Sequence, residues 1–189
     1  MDTDTQTQSL DRRSSILDAA QNLFLTQGYT VTTIAQIGRA SGATTGSIYY
    51  AFNGKAAIAT EIWQAAMADR TDILSTAKKS NKGVQTHIKS MFEAAAADRA
   101  IFDFCLQLEQ IAAIDPEFTE LSAAVTARRN AHKAAYKKWA KATEVRPIAW
   151  SVADALINGP ALTYLRAGGA ATPETAEVFA MCAWRAVKA

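Results

Sequence analysis

Residues 32–55, T-T-I-A-Q-I-G-R-A-S-G-A-T-T-G-S-I-Y-Y-A-F-N-G-K, constrain this chain more than any other stretch. Ile34 and Ile37 set an apolar stripe at helical spacing, and Thr33 stands where a side chain caps the first free amides. Gly42 follows the last apolar turn, the place where a helix end favours left-handed backbone. Thr44 is placed to cap a second short helix that carries Ile48 inward and leaves Thr45, Ser47 and Tyr49 outward. Asn53-Gly54 is a turn signal that closes the unit. Helix, glycine-containing turn, helix is the plan of a helix-turn-helix DNA reader.

The rest of the chain is predicted to be helical as well. Of the 189 residues 49% are hydrophobic, many of them alanine, and the 4 prolines and 9 glycines fall mostly between periodic segments. A first helix is expected over 10–26, with Ile16, Ala20, Leu23 and Phe24 recurring on one side and Gly28 as its stop. Residues 1–9, polar and acidic, read as a disordered arm and not as a secretory signal. After Lys55 a long helix is expected over 56–77, its buried side marked by Ile58, Ile62, Trp63, Ala66, Met67 and Ile73. A helix over 84–97 follows, and then one from about Asp98 that is apolar nearly all round and reads as central. Asp115-Pro116-Glu117 and Thr172-Pro173-Glu174 each combine a cap, a proline at the first helical position and an acid in the first turn. They open helices over 116–142 and 172–187, and Pro147 opens another through 165. The expectation is an all-α chain of about nine helices: a DNA-binding head over 10–55, then a ligand-binding and dimerisation domain over 56–189.

No run reaches the ~18 apolar residues that cross a bilayer. Cys105 and Cys182 both lie in apolar helical surroundings, so buried thiols are expected and no disulfide; a cytoplasmic protein fits. The formal charge of +2 argues weakly for nucleic acid. Within residues 1–58 the cations Arg12, Arg13, Arg39 and Lys55 face Asp2, Asp4, Asp11 and Asp18, leaving the head formally neutral. Phosphate contacts would then rest heavily on amides, hydroxyls and helix N-termini.

Ile16-Leu17-x-Ala19-Ala20-x-x-Leu23-Phe24, Gly28-Tyr29, Thr33, Ile37 and Gly42-x-Thr44-x-Gly46-Ser47-Ile48-Tyr49-Tyr50-x-Phe52-x-x-Lys55 carry a family resemblance. At this spacing they resemble the N-terminal domain of the tetracycline-repressor (TetR) family, over residues 12–58. Gly38 and Ser41 stand where that family usually has alanine, Ala43 where it has valine, and Ala51 where a larger residue is common. Glycine at position 38 should loosen its helix by up to ~1 kcal/mol relative to alanine.

The resemblance implies a homodimeric regulator, most often a repressor, on a pseudo-palindromic duplex operator. The last two helices, 147–165 and 172–187, would pair with their copies. By position, Thr45 and Ser47 would meet base edges, Gly46 would admit close backbone approach, and Thr33 and Thr44 would cap and also offer groups to phosphate. Tyr49, Tyr50 and Lys55 match family positions that contact phosphates, although one tyrosine could pack in the core. The family also implies a small-molecule effector inside the C-terminal part. Trp63, Met67, Phe92, Phe102, Phe104, Cys105, Trp139 and Trp150 would suit a hydrophobic or aromatic one, the plainer alternative for each being helical core.

Arg128, Arg129, Lys133, Lys137, Lys138 and Lys141 run without an acid between Glu120 and Glu144. Such a run is most often a solvated face, with an acidic ligand or partner as the alternative. His87 and His132 lack metal-ligand company, and no nucleophile–base pair is evident, so no metal, no cofactor and no catalytic residue is expected. Two other readings stay open: a regulator of the same fold without a small-molecule effector, and a helical ligand-binding protein or enzyme.

Overall fold

The structure, a computed structural model, describes residues 2–68 and 73–189, with side chains over 11–68 and 74–189. Its elements are α1 (Asp2–Gln27), α2 (Ile34–Ser41), α3 (Thr45–Ala51), α4 (Lys55–Ala68), α5 (Ile73–Thr76), α6 (Ser80–Ala97) and α7 (Arg99–Ala112). A 3-10 turn (Pro116–Phe118) follows, then α8 (Thr119–Lys141), α9 (Trp150–Arg166) and α10 (Pro173–Val187). Among the described residues these make ten α-helices where nine were expected, and an isolated antiparallel bridge joins Val145 to Lys188.

The chain divides into two compact units: Met1–Asp69 with Phe104–Ser122, and Arg70–Asp103 with Ala123–Ala189. In the first, Ile16, Ala20 and Phe24 of α1 are buried with Ile37, Ile48, Phe52 and, from α4, Ile58 and Ile62. A row of rings ties the later segment into this core. Phe104 stacks on Phe24 at 5.7 Å, Phe24 meets Tyr29 at 5.4 Å, and Tyr29 meets Phe118 at 5.3 Å. The division therefore runs differently from the boundary expected after residue 55. α4 and the segment Phe104–Ser122 bury their apolar faces with the head.

In the second unit α10 packs on α6 and α9 through the stripe Ala176, Ala180, Ala183 and Val187. α9 turns Ala153, Ile157, Ala161 and Leu165 inward. Small residues let these helices approach closely, and Phe92, Tyr164 and Phe179 fill the space beside them, with ring centroids 4.9–6.2 Å apart.

Five expectations need correction. The segment taken as a disordered arm is helical from Asp2, because no glycine or proline interrupts 2–27. The helix expected over 56–77 is seen as α4 and α5; residues 69–72 and the side chain of Ile73 lie outside the described residues. α7 is not buried all round: Phe102, Phe104, Cys105 and Leu108 face inward while Asp103, Gln107 and Gln110 are exposed. α9 begins at Trp150 and not at Pro147, since Val145 and Arg146 are held in extended pairing, with Arg146 N–H donating to Val187 C=O at 2.8 Å. Cys105 is buried as expected, but Cys182 is exposed, on the side of α10 away from its alanine stripe.

Candidate nucleic-acid interface

The two short helices of the head are fixed at each end by groups close in sequence. Thr33 Oγ1 accepts from Gln36 N–H at 3.2 Å, and Gln36 Oε1 accepts from Thr33 N–H at 2.8 Å, a reciprocal capping box. α2 ends where Gly42 takes φ 72°, and the Ser41 hydroxyl donates back to Ile37 C=O at 2.8 Å. Thr44 Oγ1 accepts from Ser47 N–H at 3.1 Å and starts α3. A Cβ added at Gly38 would fall 2.8 Å from the Ala43 carbonyl oxygen. Glycine here lets the turn fold back on α2, which the propensity argument alone did not foresee.

α3 presents two faces. Ile48 is fully buried, whereas Thr45 and Gly46 are exposed, Tyr49 is 57% exposed and Tyr50 93%. Exposed aromatic rings on a head whose core is complete mark a contact surface. Gly46 has no neighbour nearer than Thr44 Oγ1, at 4.0 Å from an added Cβ, so nothing in the chain itself requires glycine there. Ser47 is half-buried, with its hydroxyl 2.9 Å from Thr44 Oγ1, and so shares in the cap.

Two cations hold the reading helix from behind. The Arg13 guanidinium donates to Ala51 C=O at 2.6 Å, bonds the Glu61 carboxylate, and lies 4.1 Å above the Phe52 ring. It links α1, the end of α3, and α4. Lys55 Nζ donates to Tyr29 C=O and Thr32 C=O, both at 2.9 Å, and to Thr30 C=O at 3.4 Å, 4.2 Å from the Tyr29 ring centroid. Burial pushes the Lys55 ammonium below its usual range, opposed by Glu117 and Asp115. The Tyr29 phenol is pushed up to about 12, chiefly by burial and further by Glu117 and Asp115. Lys55, expected on phosphate, thus ties down the turn before α2. Arg12 and Arg39 remain as exposed cations of the head. Sequence reasoning missed the Arg13 clamp, because no local pattern pairs it with residues 38 and 48 positions away.

The eight residues offered for an effector do not form one group. Trp63, Met67, Phe104 and Cys105 belong to the first unit, and Phe92, Phe102, Trp139 and Trp150 to the second. Trp63 is buried with its Nε1 donating to Glu109 Oε1 at 3.2 Å, and Phe104 is used in the ring row of the head. Trp150 is half-buried against the rings of His132 and Tyr136. A groove of about 420 Å³ is lined by Thr76, Ala77, Lys78, Lys79, Lys82 and Thr86, none of the eight.

A capped two-helix reading head with an outward aromatic face is a helix-turn-helix domain of DNA-binding form. Residues 16–62 match the sequence profile "Bacterial regulatory proteins, tetR family". The HTH-type transcriptional regulator AcrR of Shigella flexneri is 38% identical over 60 residues, 32% of this chain and 28% of that one. This chain spans 28% to 46% of the relatives it matches in this way. Over nearly the full length the fold is that of NalD, described as the secondary repressor of the MexAB-OprM multidrug efflux pump in Pseudomonas aeruginosa. The TM-score is 0.75 at 21% identity, over 96% of this chain and 98% of that one. A SmeT–triclosan complex shares the fold at TM-score 0.67 and 19% identity, over 94% and 92%. The chain belongs to the tetR family of bacterial regulatory proteins.

Proposed function

We propose that the protein is a transcription regulator of repressor type that binds a pseudo-palindromic operator as a homodimer. One observation carries the reading. α3 buries Ile48 completely while Thr45, Gly46, Tyr49 and Tyr50 stand clear on its other side, behind a capped turn. Thr45 meets base edges, Gly46 admits the DNA backbone, and Tyr49 and Tyr50 contact phosphate and sugar. Thr33, Thr44 and Ser47 hold the two helix starts, and Lys55 and Arg13 orient the reading helix. With Arg12 and Arg39 as the exposed cations of the head, affinity depends on two heads acting together, ~34–36 Å apart in successive major grooves.

The dimer surface is the solvent side of α9 and α10. Val152 (49% exposed), Leu156, Val178 (53%) and Met181 give each helix an apolar strip that no part of the chain covers. A small apolar or aromatic effector is supported by the apolar set Trp63, Met67, Phe92, Phe102, Phe104, Cys105, Trp139 and Trp150, and by the triclosan complex of a protein with the same fold. Such an effector releases DNA by favouring another head spacing, and DNA weakens its binding in return. The protein acts in the cytoplasm, where its operator lies, and no reaction is assigned to it.

The test is a gel shift with the duplex upstream of its own coding sequence, at two salt concentrations, followed by addition of apolar ligands. A salt-sensitive, sequence-specific shift is expected, reversed by at least one ligand. No specific shift overturns the regulator reading, and a shift that no ligand reverses removes the effector. Leu156→Asp with Met181→Asp should sediment as monomer and lose the shift.

A further inference from the structure

The cations of the second unit gather at one end. Lys78, Lys79 and Lys82 lie at the start of α6, and Lys137, Lys138 and Lys141 at the end of α8. These two helix ends are in contact. A Cβ added at Gly83 would fall 2.7 Å from the Trp139 ring, and the carboxylate of Glu144, just beyond α8, accepts from Ser80 N–H at 3.1 Å and Ser80 Oγ–H at 2.6 Å. Glu144 is held below the usual carboxylate range by Ser80, with Lys79 and Lys138 both contributing, so the two lysine groups share one field. It is also the lone acid between Glu120 and Pro173 apart from Asp154. Among the described residues none of the six lysines forms an ion pair. Like charges held together repel, and nothing in the unit's own packing uses these ammonium groups.

A groove of about 420 Å³ opens beside them, lined by Thr76, Ala77, Lys78, Lys79, Lys82 and Thr86. We propose that this groove binds a small organic polyphosphate, of the class of a nucleoside triphosphate. Glu144 already satisfies the first amide of α6, so the ligand is recognised by ammonium groups and the Thr86 hydroxyl and not by the helix end. Ala77 and the methylene stems of the lysines give the organic part an apolar floor. A single exposed charge pair contributes ~1 kcal/mol or less, so a monoanion gains little and an anion with several charges is required. The volume lies in the range of small-molecule sites, ~300–1,000 Å³, whereas a duplex or a membrane surface needs no concavity.

Calorimetric titration of the full chain with ATP, pyrophosphate and adenosine tests the site. ATP and pyrophosphate should bind, more weakly as salt is raised, and adenosine should not. Lys78→Gln/Lys79→Gln/Lys82→Gln should weaken both anions by about tenfold or more, a difference of ~1.4 kcal/mol or greater. Arg129→Gln/Lys133→Gln/Lys188→Gln, which removes the same charge elsewhere, should leave binding nearly intact. Lys82→Glu provides a second, single-site loss should the triple variant fold poorly. The proposal is overturned by no binding of either anion, by equal weakening in the control triple, or by binding only to duplex DNA or phosphatidylglycerol vesicles.

Discussion

The head and the second unit begin their helices in different ways. In the head, α2 and α3 are started by Thr33 and Thr44, each accepting from an amide three residues on. In the second unit, α6 follows Lys79 and α9 follows Ala149, and neither residue makes a side-chain cap. The free amide of Ser80 is met by Glu144, 64 residues later, and the end of α9 is held by Arg99, which bonds Leu165 C=O and Gly169 C=O from 66 and 70 residues before. One unit is specified by neighbours along the chain, the other by neighbours in space. α10 is the exception that supports the rule: Thr172 and Thr175 form a local capping box, and its start was evident from Thr172-Pro173-Glu174.

The largest expected effect is in the two cores. Ile48→Ala and Ile157→Ala each remove a side chain that is 0–1% exposed, and each should cost ~2–5 kcal/mol in chemical denaturation. Only Ile48→Ala should abolish operator binding at a temperature where both variants remain folded. Equal loss of binding would erase the contrast. Gly38→Ala comes next, and its sign separates the two ways of reasoning. Helix propensity predicts a gain of up to ~1 kcal/mol. The 2.8 Å approach of an added Cβ to the Ala43 carbonyl predicts a loss of ~1–3 kcal/mol, because backbone cannot move aside cheaply. A higher melting temperature for Gly38→Ala would show that the turn is looser than described.

Capping gives a smaller and more direct comparison. Thr44→Ala should cost ~1 kcal/mol, with a visible loss of operator affinity, since it starts the reading helix. Lys79→Ala, at the equivalent place before α6, should change stability by no more than ~0.5 kcal/mol. The two units should also differ in pH response. Tyr29 in the head ionises near 10 when unfolded and at about 12 when folded, so its contribution is complete below pH 10 and is lost as pH rises towards 12. Glu144 has a folded value below its ordinary 4.5, so its contribution is present above pH 4.5 and disappears as pH falls through the folded value. Tyr29→Phe should flatten the alkaline limb of a melting-temperature profile and Glu144→Gln the acid limb. An unchanged limb in either variant removes that group from the account.

The same contrast explains what could be read in the sequence. The caps at Thr33, Thr44, Asp115 and Thr172, and the left-handed glycines at positions 28, 42, 54 and 168, each rest on a signal spanning four residues or fewer. Those signals placed the head and most helix ends. The start of α9 was missed because it depends on the pairing of Arg146 with Val187, which no window of sequence contains. Lys55 was placed on phosphate by position alone, and its inward turn follows from three carbonyls around Tyr29. The aromatic set offered for an effector failed to converge for a related reason. Large apolar residues at helical spacing report burial, and burial does not distinguish the ring row of Phe24, Tyr29, Phe104 and Phe118 from a cavity wall.

The smallest expected effect on stability belongs to Tyr49→Ala, and it is the most informative about function. Tyr49 is 57% exposed beside the fully buried Ile48, so its removal leaves the core of the head intact. The melting temperature should stay within the change expected of a surface substitution, ~0.5 kcal/mol or less. Operator affinity should nevertheless fall, because a phosphate or sugar contact is lost in each of two heads. If Tyr49 touches only the DNA backbone, the loss should be nearly the same for operator and scrambled duplex, and the specificity ratio should hold. Thr45→Ala, one turn earlier on the same helix, should instead lower affinity for operator more than for scrambled duplex. If the two variants behaved alike, the division of α3 into a base-reading start and a backbone-contacting middle would have to be given up.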